Sequence, residues 1–353
     1  MTDLRNQFIA RIAAIGPLTL AEFITDCLLH PKYGYYTTRT PFGRAGDFIT
    51  APEISQMFGE ILGLWLAQIW RDQGSASKFA LVELGPGRGT LMADILRATR
   101  GISGFHDALD LHLIEASLSL QDQQSKQLGL VAPTWHQTLN TVPDLPLFLL
   151  ANEFFDALPV RQFIRDGRHW RERCITIREG VLAFGLTDAA PQAALVHRLT
   201  DTKQGDLVET CAPAQAITQQ IGQRIKAQGG AALIIDYGNW RSLGDTLQSV
   251  QGHKPIPPLS SPGLSDITAH VDFEALAMAS PSAHTWPTAQ GVFLERLGIT
   301  ERANVLAKTL QGSNLKSHIA AHHRLTHPAE MGELFKAMAL FPKNYPSPPG
   351  LDL

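Results

Sequence analysis

Apolar positions recur every three to four residues at the start of the chain, where Phe8, Ile12 and Ile15 share one face of an amphipathic helix. Gly16-Pro17 breaks that helix, and Leu18 to Leu29 reads as a second one with Thr19 as its cap. His30 to Tyr36, followed by the Gly-, Thr- and Pro-rich stretch from Thr37 to Ala51, carries no such period and reads as a loop. Periodicity returns over Pro52 to Trp70, with Ile54, Phe58, Ile61, Leu62 and Trp65 along one face. From Lys78 the pattern becomes an alternation of short apolar runs and longer polar ones. Phe79–Glu83, Leu109–Ile114, Pro133–Leu139 and Leu145–Ala151 read as strands, and Leu91–Arg100 and Ser119–Leu128 as the helices between them. Strand, helix, strand in this order predicts a mostly parallel sheet with helices on both faces and right-handed crossovers.

The alternation fails after Val160. Phe163 to Trp170 reads as a hairpin turning at Asp166-Gly167, with Cys174–Ile177 and Val181–Phe184 extending an antiparallel piece. Ala214 to Gln228 returns to helix, and Ala231–Ile235 is a buried strand ending at Asp236-Tyr237-Gly238. Residues from about Leu243 to Pro262 read as a long functional loop. Helices are expected over Phe273–Ala279 and Gln290–Thr309, then a Pro-rich tail. The organisation expected is a helical extension and lid loop over 1–74, a core over 75–159 and 229–353, and an inserted hairpin and helical α+β subdomain over 160–228.

Composition narrows the class. With 353 residues, 44% hydrophobic and 18% charged, the chain can bury a large core. A net charge of -3 without basic blocks gives no electrostatic case for nucleic acid as a partner. Cys27, Cys174 and Cys211 are scattered, so neither a disulfide framework nor a zinc site is expected. The histidines lack a matching acid or thiol pattern, and no metal is expected. No signal peptide and no membrane-length apolar run is visible, which makes a cytoplasmic location the expectation.

The chemistry concentrates at the end of the first core strand. Glu83-Leu-Gly-Pro-Gly-Arg-Gly-Thr90 places Gly85, Gly87 and Gly89 in a strand-to-helix turn, where glycine lets the backbone approach a ligand. The spacing is GxGxG. A dinucleotide fingerprint requires glycine where Thr90 stands, which disfavours NAD. An acidic residue followed by GxGxG resembles the first motif of class I S-adenosylmethionine (SAM)-dependent methyltransferases. Glu115 closes the next strand, where a carboxylate can accept both ribose hydroxyls.

Several segments together carry a more specific resemblance: Tyr33–Tyr36, Gly46–Ser55, Glu83–Leu91, Asn152–Pro159, Asp236–Gly238 and Asp266–Asp272. They resemble the MidA-like SAM-dependent methyltransferases, over nearly the whole chain. The resemblance implies a Rossmann-like class I α/β core, SAM as methyl donor and S-adenosylhomocysteine as product. The eukaryotic members are mitochondrial complex I assembly factors that methylate an arginine of a complex I subunit. A protein substrate is therefore implied, with a respiratory complex I subunit as one candidate. The front end lacks an Arg- and Ser-rich transit peptide, which suggests a bacterial protein. The sequence leaves a homodimer open.

Asn152-Glu153-Phe154-Phe155-Asp156 follows an apolar strand, at the edge where open α/β sheets bind ligands. Glu153 and Asp156 are the expected catalytic carboxylates, three residues apart so that on a tight turn or a first helical turn they could face one way, and suited to the forked donors of a guanidinium. Glu153 as a cap, and the two phenylalanines as core, is the competing reading. Asn152 is expected near the cofactor. Thr50 reads as a helix cap and Glu53 as a first-turn acid, with Asp47 and Phe48 on a lid over the cofactor. Tyr33, Tyr35 and Tyr36 either line the same cleft or pack the N-terminal helices. Asp236 reads as an acid ordering the Gly238 turn, and His270 as a satisfied polar contact. The alternative function is a SAM-loaded assembly chaperone that does not need catalysis.

Overall fold

The structure is a computed structural model describing residues 3–38, 49–129 and 131–353. The chain divides into two compact units. One comprises 1–48, 156–214 and 241–275, and the other 49–155, 215–240 and 276–353.

The second unit is built on a twisted sheet. Its parallel strands run in the order Gly230–Asn239, Leu147–Asn152, Phe79–Leu84, Leu109–Ile114, Thr134–His136. Phe79–Leu84 is buried at every position, as expected of a parallel strand covered on both faces. The register sets Leu84 beside both Ile114 and Ala151. Three adjacent strands therefore end level, and the segments following them emerge on one edge. Phe335–Phe341 joins the far side antiparallel, pairing Ala232 with Leu340 and Asp236 with Lys336. A Rossmann-like α/β fold is the result.

The helix Gln56–Asp72 belongs to this unit, although the sequence ranges group it with the N-terminal helices. The reason is close packing. A Cβ built on Gly59 would lie 2.5 Å from Cβ of Asp94, and one on Gly63 would lie 3.1 Å from Cα of Ile95. Both partners sit on the helix Thr90–Thr99. Two glycines thus let the backbones approach, and Phe58, Leu62 and Leu66 of the longer helix are buried. Burying each such side chain contributes about 1.5–3 kcal/mol.

The first unit carries the helices Asp3–Ile15 and Leu20–Leu29, an antiparallel sheet and a three-stranded sheet. Thr19 caps the second helix in a capping box with Glu22. The hairpin pairs Arg161–Asp166 with His169–Arg178 and turns at Gly167-Arg168, one residue beyond the expected position, because Asp166 is still in register with His169.

Other expectations are corrected. Pro52–Trp70 is two helices, Ala51–Ile54 and Gln56–Asp72, separated by extended Ser55, whose hydroxyl accepts from the Met57 N–H. Gln290–Thr309 breaks at left-handed Gly298 into Gln290–Arg296 and Ile299–Ala307. The stretch 243–262 contains the paired strands Gln248–Gln251 and Lys254–Ile256. The strand after Gly230 runs to Asn239, so Gly238 is extended rather than a turn. The helix Gly312–Thr326 was not expected.

Candidate functional site at the carboxyl edge of the parallel sheet

The glycine loop takes the conformation its spacing suggested. Gly85, Gly87 and Gly89 have φ of 61°, 52° and 82°, all left-handed. Gly85 has a second reason to be glycine: a Cβ there would lie 2.9 Å from Cδ2 of Phe154. The loop is tied at its start by Gly85 N–H donating to the Ile114 carbonyl (3.1 Å), and across its turn by Gly89 N–H donating to the Pro86 carbonyl (2.8 Å). The helix Thr90–Thr99 starts at its end.

Glu115 lies one residue beyond the neighbouring strand. Its Oε1 accepts from the Ser117 N–H (2.7 Å) and its Oε2 from Nε2 of Gln124 (3.2 Å). A carboxylate has about four lone-pair sites, so two bonds leave room for a diol. Burial holds the Glu115 carboxyl above its usual range, against the Ser117 and Gln124 hydrogen bonds, which favour the charged form.

Gln124 is a residue of the candidate site that the sequence reading missed. Fully buried, it donates from Nε2 to the Gly87 carbonyl (2.8 Å) as well as to Glu115, while its Oε1 accepts from the Trp135 indole (2.7 Å). One amide side chain thereby fixes the glycine loop relative to Glu115. The signal was present: Leu120, Gln124 and Leu128 recur every four residues, so a glutamine occupies the middle of an apolar stripe.

Glu83, the last but one residue of its strand, is 4% exposed and its Oε2 has no hydrogen-bond partner. Burial first, and the nearby charge of Glu115 second, push its carboxyl up to about 8. Asn152, at the end of the adjacent strand, likewise buries an unpartnered Oδ1. Two orphaned acceptors beside a left-handed glycine loop are the signature of a site that a donor-bearing ligand completes.

Glu153 follows Asn152 with φ 51°, an uncommon conformation for a non-glycine residue. Its N–H donates to the Ile235 carbonyl (2.9 Å). Its Oε1 accepts from the Ala51 N–H (2.8 Å) and from Nδ2 of Asn152 (3.0 Å). The turn is pinned further by Asp236, fully buried, whose Oδ2 accepts from the Phe155 N–H (3.0 Å). Asp236 thus orders this turn, not one at Gly238. Phe155 is core, at 3% exposure, and Phe154 packs on Gly85.

Thr50 is the N-cap of Ala51–Ile54, but its hydroxyl makes no capping bond. Pro52 has no N–H to offer, the Glu53 N–H donates to the Thr50 carbonyl (3.0 Å), and the Ala51 N–H goes to Glu153. Phe48 and Asp47 lie outside the described residues.

Asp156 belongs to the other unit. It is 7% exposed, and its carbonyl accepts from the Ala269 N–H (3.0 Å). No helical turn spans 152–159, so the expected Glu153–Asp156 doublet is not a helical pair. In that unit the Tyr36 hydroxyl donates to Oδ1 of Asp266 (2.9 Å), and burial followed by the charges of Asp266 and Asp156 raises its pKa. Tyr35 is fully buried in the cluster of the N-terminal helices, with Tyr33 and Tyr36 packed against it. His270 donates its N–H to the Thr246 hydroxyl (2.8 Å), and burial lowers its pKa. Among the described residues no group of three or more His, Cys, Asp or Glu side chains is placed to hold a metal, and no helix is long and apolar enough to cross a membrane.

A loop of this geometry, a ribose-competent acid and a parallel sheet edge fit an adenosyl ligand, and comparison with known proteins decides which. A model of a family of S-adenosyl-L-methionine-dependent methyltransferases matches residues 61–290. The chain belongs to that family. The methyltransferase is 37% identical to the mitochondrial protein arginine methyltransferase NDUFAF7 of Bos taurus, across 97% of this chain and 84% of the relative. Identity to the Homo sapiens protein of the same name is 36%, with the same coverage. A candidate methyl transferase from Burkholderia thailandensis, crystallised with S-adenosyl-homocysteine bound, superposes with a TM-score of 0.80 at 29% identity, covering 96% of this chain and 91% of that one. The enzyme is a SAM-dependent methyltransferase.

Proposed function

We propose that this methyltransferase modifies an arginine side chain of a protein, with a respiratory-chain subunit as acceptor and the cytoplasm as its location. Support for arginine comes from relatives that match almost the full chain and are named for that activity. The observation that carries the assignment of the donor site is the level ending of three strands, which sets the glycine loop, Glu115 and the Asn152-Glu153 turn on one sheet edge.

In this reading Gly85, Gly87 and Gly89 give the cofactor close access to backbone, and Glu115 accepts the ribose hydroxyls. Glu83 and Asn152 offer their orphaned oxygens to donors, and Thr50 contributes from the preceding segment. SAM supplies an electrophilic methyl on a cationic sulfur. Arginine is protonated near neutral pH, so a carboxylate must orient the guanidinium and stabilise its charge while a proton leaves. Glu153 is the proposed carboxylate in this unit. Its left-handed backbone and the Ala51 bond fix its direction. Asp156, in the other unit, is the second proposed carboxylate.

The test is to incubate the full chain with methyl-labelled SAM and a lysate, then digest the labelled band for mass spectrometry. Methylarginine is expected. Label on another side chain overturns arginine as acceptor. S-adenosylhomocysteine binding without any labelled protein favours the non-catalytic assembly role. Light scattering decides separately whether the chain forms a homodimer.

A further inference from the structure

The segment Ile49–Ser55 is held by carboxylates at two points, and only one belongs to the machinery described above. At Ala51 the partner is Glu153. At Glu53 the direction reverses: the segment supplies the carboxylate and the glycine loop supplies the donors. The Thr90 hydroxyl donates to Oε1 of Glu53 (2.5 Å), and Nη1 of Arg88 donates to Oε2 (3.2 Å). Arg88 and Thr90 flank Gly89, the last of the left-handed glycines. Thr90 also opens the helix Thr90–Thr99, whose N-terminal end favours a nearby carboxylate. The Glu53 side chain is 16% exposed and that of Arg88 46%, so the hydroxyl contact is the better shielded of the two.

Three alternate residues in the left-handed region make a loop whose glycines have many other conformations available when nothing holds them. Gln124 fixes the loop at Gly87 from one side. At its far end, among the described residues, the loop is tied to the preceding segment through Arg88 and Thr90, and both bonds end on Glu53. We infer that Glu53 is a positioning residue that latches the Ile49–Ser55 strap to the far end of the glycine loop, holding the loop in its binding conformation and slowing departure of the bound adenosyl ligand. The inference rests on the reading of this loop as the cofactor site. Preorganising a loop strengthens binding by removing the ordering cost, so loss of the latch shows as weaker binding.

The test uses the full chain, with S-adenosylhomocysteine as probe, and variants Glu53→Gln, Thr90→Val, the double variant and Thr90→Ser. Glu53→Gln and Thr90→Val each raise the dissociation constant about tenfold, mainly through a faster off-rate. The double variant is no weaker than the worse single one, because both act on the same contact, Glu53→Gln by removing its charge and Thr90→Val by removing its donor. Thr90→Ser, which keeps the hydroxyl, stays within about twofold of wild type. Should Glu53→Gln fail to fold, the Thr90 pair still decides. The inference is overturned if Thr90→Val binds like wild type, if the two effects add, or if the variants lose only melting temperature at unchanged affinity. Gly87→Val separates the two layers. Wild-type affinity in that variant removes the loop from the site altogether, whereas lost affinity there with unaffected Glu53 and Thr90 variants removes only the latch.

Discussion

Two regions bury polar side chains and treat them in opposite ways. In the antiparallel sheet, fully buried Gln162 donates from Nε2 to Glu209 (2.7 Å) and Asp245 (2.8 Å) and accepts from Arg173 (2.8 Å), which pairs with Asp245 in turn. Arg161 grips Glu172 with two parallel bonds of 2.7 and 2.5 Å. That network closes on itself. At the carboxyl edge of the parallel sheet, Glu83 and Asn152 bury oxygens with no partner, next to left-handed Gly85, Gly87, Gly89 and Glu153. An unmade buried hydrogen bond costs about 1–3 kcal/mol, so the edge carries a deficit the antiparallel sheet lacks. The difference teaches where to look: unmade buried acceptors set beside a left-handed glycine loop mark a place that a ligand can complete.

The largest expected effect on ligand binding breaks the edge outright. Gly87→Val places a β-branched side chain at φ 52° and into the space beside the Gly87 carbonyl that Gln124 fixes. Affinity for SAM and S-adenosylhomocysteine should fall at least about 100-fold, that is about 3 kcal/mol, while far-ultraviolet dichroism keeps the wild-type shape. Retained affinity would show that the loop is scaffold, like the antiparallel sheet.

A second test uses pH. The Glu83 carboxyl titrates at about 8 when folded, against 4.5 for an unperturbed glutamate in the unfolded chain. Between those values the folded chain holds a proton that the unfolded chain has released, so stability of the ligand-free protein falls as pH rises through this window. The loss reaches up to about 5 kcal/mol, since each tenfold change in proton affinity is worth about 1.4 kcal/mol. Denaturant titrations at pH 5, 6.5 and 8 should show that slope, and Glu83→Gln should flatten it. A Glu83→Gln variant with the same slope would mean that Glu83 is satisfied like the residues of the antiparallel network.

Next in size is Glu115→Ala, which removes the proposed acceptor of the ribose hydroxyls. Calorimetry should register about 1.5–3 kcal/mol of lost SAM binding. An unchanged dissociation constant would move the ribose contact elsewhere. The smallest effect sharpens the comparison. Glu153→Gln keeps an oxygen for the Ala51 N–H but removes the charge proposed to meet the guanidinium. Methyl transfer should fall at least about tenfold, or 1.4 kcal/mol, with SAM affinity and melting temperature barely moved. A large drop in melting temperature with normal transfer per folded molecule would make Glu153 a tether only.

How much of this was legible depended on whether the pattern was local. The strands Phe79–Leu84, Leu109–Ile114 and Leu147–Asn152 show as apolar runs, and the glycine spacing fixes the loop between the first strand and its helix. Phe335–Phe341 escaped, because it is antiparallel, late in the chain and recognisable only through its partner Gly230–Asn239. The helix Gly312–Thr326 escaped because it buries little, with Leu325 its buried residue. At the candidate site, the strand-end positions of Glu83, Glu115 and Asn152 were readable from the sequence. Gln124 and the Glu53–Thr90 contact were not singled out, since they join segments far apart in sequence and look locally like ordinary helix polarity. Ser55 hid a helix break inside a continuous apolar stripe, because a single capping hydroxyl leaves the period intact.

The most direct test of the central claim, that the orphaned acceptors of the sheet edge are completed by an adenosyl ligand of the methyl-donor type, is calorimetric titration of the full wild-type chain with S-adenosylhomocysteine and, separately, with NAD. The account predicts saturable binding of one S-adenosylhomocysteine per chain and no heat from NAD. Saturable binding of NAD with none of S-adenosylhomocysteine would contradict it.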